Sequence, residues 1–139
     1  MSLKADLTDL LLRDPALADL VGARITWGRR APGEGLPALV LTRVGATRDY
    51  HMKGVTTLRR TRIQAEILAT TLAEAGEVEA VMIDRLDGVR GPHGGTDVRG
   101  VFVEALRDGL DTDRDGSGIH RIVADLIVHH RLHNKENER

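Results

Sequence analysis

The residues best suited to chemistry lie in the last third of the chain. Asp111-Thr112-Asp113-Arg114-Asp115-Gly116 puts carboxylates at the first, third and fifth positions and glycine at the sixth, the oxygen spacing of the first half of a calcium-binding loop. The position where a bidentate glutamate should close such a site is Ile122, the flanks read as strands rather than helices, and Arg114 offsets the charge a divalent ion needs. A solvated turn is therefore the expected reading, with a small metal- or ligand-binding module on Asp111 to Asp115 as the alternative. Further on, His129, His130 and His133 stand close together, but neighbouring residues of a strand point to opposite faces, so His129 and His130 do not readily share one metal ion.

Catalytic sets are harder to assemble. The chain has no cysteine, no Gly-x-Ser-x-Gly elbow, no His-Glu-x-x-His and no phosphate-binding glycine loop ahead of a helix. His120 and Asp125 are near Ser117 in sequence, yet their odd spacing along a strand separates them onto two faces. No acid/base pair emerges, and the expectation is a protein that is not an enzyme and needs no cofactor. The remaining chemistry is cationic: Arg59, Arg60 and Arg62 suit a solvated face with internal ion pairs, a protein interface, or phosphate.

The arginines sit in the most legible stretch of the chain. From Leu58 to Leu68 one parity holds Arg60, Arg62, Gln64 and Glu66, and the other Thr61, Ile63, Ala65 and Ile67, which predicts a half-buried strand. After a turn at residues 69–71 the period changes: Ala75, Val78, Met82 and Leu86 form a helical stripe. Thr71 with Glu74 makes a capping box, and Gly88 is a sensible stop. A sheet face needs a cover, and this helix is the obvious one.

The rest of the chain supplies neighbours for that pair. Residues 2–21 predict a helix in two parts, restarted at Asp14-Pro15 and ended by Gly22. Residues 24–27 read as a short edge strand, 28–37 as a Pro/Gly loop, and 38–44 as a central strand, apolar on both parities at its start. Residues 45–57 carry no defensible period and read as a long loop; 91–95 read as a flexible connection. Residues 98–106 and 119–132 predict two long strands, the second with Ile122, Ala124, Leu126 and Val128 on one face, joined by an acidic loop over 107–118. The expected fold is α+β: a mainly antiparallel sheet with an N-terminal helix and a central helix packed on one face. One domain is expected over residues 1–132, followed by a disordered polar tail over 133–139.

Composition narrows the partners. With 20 Lys+Arg against 21 Asp+Glu the formal charge is -1, so there is no global pull toward nucleic acid or anionic lipid. Aromatic residues make up 2% of the chain, too few for a stacking platform on single-stranded nucleic acid. The N-terminus, with acidic residues among its apolar ones, does not read as a signal or transit peptide, and no apolar run approaches the roughly 18 residues of a membrane span.

Several segments taken together resemble the tail completion, or tail terminator, proteins of long-tailed bacteriophages. They are the Asp14-Pro15-Ala16-Leu17-Ala18 restart, Gly22-Ala23-Arg24-Ile25, Leu36-Pro37-Ala38-Leu39-Val40-Leu41, Gly45-Ala46-Thr47-Arg48-Asp49-Tyr50, and Gly100-Val101-Phe102 followed by Gly118-Ile119-His120-Arg121. The likeness runs from about Leu3 to His130, and the sequence looks particularly like the version in alphaproteobacterial gene transfer agents. It implies a homohexameric ring that stops growth of the tail tube and docks on the head connector or stopper. DNA would pass through without sequence-specific binding, in a particle tail assembled in the bacterial cytoplasm. The family brings no catalytic residues with it. Interface candidates are then Arg48, Asp49, Tyr50, His51 and Lys53 in the first long loop, Arg60 and Arg62 on the basic strand, and Asp111, Asp113 and Arg114 in the acidic loop. The acidic loop and the terminal histidines have no counterpart in the family pattern.

Overall fold

The computed structural model describes residues 2–30, 33, 35–51, 54–112 and 116–132, with backbone alone at 48–51, 54–57 and 132. Among these residues the chain forms α1 (Leu3–Leu12), α2 (Pro15–Val21), β1 (Ile25–Trp27), β2 (Ala38–His51), β3 (Gly54–Ala69), α3 (Leu72–Leu86), β4 (Gly91–His93), β5 (Thr96–Thr112) and β6 (Gly118–Leu132). The strands make one sheet in the order β1-β2-β3-β6-β5-β4, antiparallel throughout except where β1 runs parallel to β2. This is the expected α+β architecture.

Burial follows the parity of β3: Thr61, Ile63, Ala65, Ile67 and Ala69 are buried, while Arg60 and Arg62 are exposed. Ile122, Ala124, Leu126 and Val128 of β6 lie beside them on the same face, and α3 covers both strands with Ala75, Val78, Met82 and Leu86. α2 packs on α3, and α1 on α2 and β4, so all three helices share one core with Leu39 and Leu41 of β2. The Thr71 hydroxyl accepts from the Glu74 amide at 3.1 Å. The Glu74 carboxylate returns to the amide of Thr70 at 3.2 Å rather than to that of Thr71, so the box closes one residue early. Gly88, with φ 75°, supplies the left-handed turn that ends the helix.

Three expectations are corrected. Residues 45–57 are not an irregular loop: β2 runs on to His51 and β3 begins at Gly54, so the two form one long hairpin arm. Register shifts between Arg43 and Gly45 and between Arg48 and Tyr50 break the period of two, which hides the strand from a parity reading. Likewise residues 107–112 belong to β5, which pairs with β6 down to Thr112–Gly118, so Arg107, Asp108 and Asp111 are strand residues. A shift between Val103 and Ala105, and exposure of both faces beyond Val101, erase the alternation there. Finally, residues 91–93 form the short edge strand β4, turned back onto β5 at Gly94 with φ 63°.

Candidate assembly interface

The face of the sheet away from the helices carries a lattice of charged side chains in register. Arg62 of β3 pairs with Glu104 of β5 across β6, and Arg107 donates to Asp125 at 2.6 Å. Gln64 donates to Glu66 at 3.1 Å, and Arg121 lies 3.9 Å from Glu66. Phe102 meets His129 edge-on with ring centres 5.5 Å apart. Exposed ion pairs of this kind contribute about 0–1 kcal/mol each, so the lattice adds little to stability and instead keeps the face wet and specific. Arg60 is exposed on it without an ion pair among the described residues.

At one end of the helix side lies a depression of about 410 Å³, lined by Arg43, Arg59, Thr61, Thr96 and His130 among others. Thr61 and His130 are buried and hydrogen-bonded at 2.7 Å. Burial, then the positive charges of Arg59 and His129, hold the His130 ring below the ordinary histidine value of 6.5, which favours the neutral imidazole. Thr96 donates to the buried Asp6 carboxylate at 2.6 Å, tying β5 to α1. Both hydroxyls are buried in these contacts, which tie β3 to β6 and β5 to α1. His120 and Asp125 fall on opposite faces, as do His129 and His130. Among the described residues no group of His, Cys, Asp or Glu is placed to hold a metal ion; Asp113, Arg114, Asp115 and His133 lie outside them.

Sequence reasoning missed the apolar surface of β5. Val103, Leu106 and Leu110 pair with Leu126, Ala124 and His120, so they face the helix side, yet Leu106 is 47% and Leu110 68% exposed because α3 lies over β3 and β6. Phe102, on the opposite face, is 58% exposed. Val103 and Leu106 fall in the strand predicted over 98–106 and Leu110 in the expected acidic loop, and no signal in one sequence separates a strand covered by a helix from one beyond its reach.

The interface candidates fall into separate regions. Arg48, Tyr50 and His51 lie in the paired part of the β2–β3 arm, with Asp49 at its second register shift; Lys53 is outside the described residues. Asp111 is at the far end of β5, accepting from the Thr112 amide at 2.8 Å. Because Arg59 pairs with His130 and Ala69 with His120, the β2–β3 arm and the β5–β6 turn leave the sheet at opposite ends. Arg60 and Arg62 share the lattice face near the first arm.

The sequence profile of the tail completion protein gp17 family matches residues 5–130. The chain belongs to that family. Among solved structures, a chain in "Virion of native gene transfer agent (GTA) particle" has this fold, with a TM-score of 0.70 and 19% identity over 96% of each chain. At that identity the likeness speaks for the fold of this family member alone. No curated protein matches the sequence. No helix among the described residues is long and apolar enough to cross a membrane.

Proposed function

We propose that this tail completion family member is a structural protein of a phage or phage-like particle, a ring of six copies that ends the tail tube and joins it to the head connector or stopper. The observation that carries the reading is the family match over residues 5–130, nearly the whole chain. Two hairpins leaving the sheet at opposite ends support it, since a joining ring needs one set of contacts toward the tube and another toward the head. Arg48, Asp49, Tyr50, His51 and Lys53 serve one end, and Asp111, Asp113 and Arg114 the other. Arg60 and Arg62 line a wet sheet face past which DNA travels without base-specific contact. The assembly forms in the bacterial cytoplasm and stays in the particle tail.

Native mass over a range of concentrations, with negative-stain images of the same sample, tests the reading. Six copies of 15.2 kDa give 6 × 15.2 = 91.2 kDa, expected as a ring with a central hole. A protein that neither assembles nor binds tube ends would sink it.

A further inference from the structure

Both outer edges of the sheet are open for most of their length. On β5 only Thr96–Val98 is covered, by β4, and Arg90 donates to the Arg99 carbonyl at 3.3 Å, so residues 100–111 have no strand on their outer edge among the described residues. On β2 only Leu39–Leu41 is covered, by β1, so among the described residues the outer edge of 42–51 likewise has no strand on it. Long edges are normally blunted by proline, by short strands or by a covering loop, because unpaired amides and carbonyls template another strand. Here neither stretch contains proline, and both carry exposed apolar side chains: Val44 on β2, Val103, Leu106 and Leu110 on β5.

We propose that these two edges join to each other between copies of the chain, β5 of one to β2 of the next, as a continuous antiparallel ladder. The inference rests on the ring reading and assigns its interface. Direction is set by topology: β2, β3, β6 and β5 alternate up, down, up, down, so a copy related by rotation about an axis along the strands brings an upward β2 beside a downward β5. The joint uses two different edges, so it is heterologous, the kind that closes into rings.

Charge chooses the register. Between residues 42 and 63 the sequence has one acidic residue, Asp49, against Arg43, Arg48, Lys53, Arg59, Arg60 and Arg62. On β5, Arg107 is paired with Asp125, leaving Asp108 and Asp111 without ion pairs among the described residues. Arg43 and Asp108 are both exposed and both on the helix side, since they pair with Ile63 and Ile122. Setting Arg43 opposite Asp108 gives an ion pair across the joint and places Ala46 opposite Leu106, once the extra residue at the Arg43/Gly45 shift is allowed for.

This register also has a sensible geometry. Within one copy Arg43 is level with Leu126, and Asp108 with Ile122, so each joint slips by 126 − 122 = 4 residues. A slip of roughly 13 Å over four strands spanning roughly 19 Å means a strand tilt of about 35°, at the lower end of the range found in closed barrels.

The chain has no cysteine, so paired substitutions report the joint cleanly. The full chain carrying both Ala46→Cys and Leu106→Cys, mildly oxidised, is expected to give covalent multimers up to the size of the ring, while either single variant stays uncrosslinked. In parallel, Asp108→Arg is expected to raise the concentration for half-assembly about tenfold or more, and adding Arg43→Asp to restore it. Both positions are exposed, so circular dichroism should report an unchanged fold. A full-mass ring without cross-links and indifferent to Asp108→Arg overturns the edge joint and leaves the ring standing. Dimers from Leu106→Cys alone overturn it in favour of a β5-to-β5 contact. A chain monomeric at every concentration and never cross-linked overturns joint and ring together.

Discussion

His130 is a buried histidine that works as a neutral hydrogen-bonding partner, and this makes the fold sensitive to mild acid. Its folded value lies below 6.5, because burial and the charges of Arg59 and His129 oppose protonation. The unfolded chain takes up that proton near the ordinary value while the folded chain does not, so stability falls as pH drops below about 6.5 and levels off below the folded value. The urea midpoint is expected to drop between pH 7.5 and pH 5.5, and to drop less in His130→Asn; equal slopes would remove His130 from the account. A second residue-scale test concerns Asp6 and Thr96. Thr96→Val leaves a buried carboxylate without its hydroxyl donor, at about 1–3 kcal/mol, whereas Thr96→Ser keeps the donor and should cost much less. Denaturation midpoints of the two variants decide it.

The central helix depends on its first turn and on one buried stripe. Thr71→Ala removes the oxygen that accepts from the Glu74 amide and should lower stability by about 1 kcal/mol. Met82→Ala opens a hole in a fully buried position and should cost about 2–5 kcal/mol, the larger loss in a thermal melt. Both sites were legible from sequence because a cap and a helical stripe are local patterns. The same is true of β3 and β6, whose alternation survives because one face meets α3 and the other meets water. The hairpin arms were not legible for the converse reason. Residues 44–47 and 102–108 are exposed on both faces, and bulges shift the phase. With no core to impose alternation, Arg48 to His51 and Arg107 to Asp111 look like loop, although the ladder hydrogen bonds continue through them. Of the candidate site, residue identities on the arms were visible, but the apolar flank of β5 was hidden by its likeness to core.

At the scale of the molecule, helices and core occupy the middle of a long sheet and the arms project from its two ends. Removing residues 49–53 takes away none of the core residues named above, so the shortened protein should keep its circular dichroism spectrum and melting behaviour and, on the ring proposed above, should no longer cap tubes. Unimpaired capping would take that arm out of the joining mechanism. The thinness of the arms has a further consequence. Among the described residues, the only strand pairing of β5 from residue 102 to 112 is that to β6, with no layer packed above. Opening such a flap leaves the helix-covered core in place, so in the unassembled chain it should unzip and reseal many times for each global unfolding event. Deuterium would therefore enter the amides of Leu106 to Thr112 long before those of Ile63 to Ile67. An arm that melts this easily can be remoulded on a docking surface while the core beneath it stays rigid.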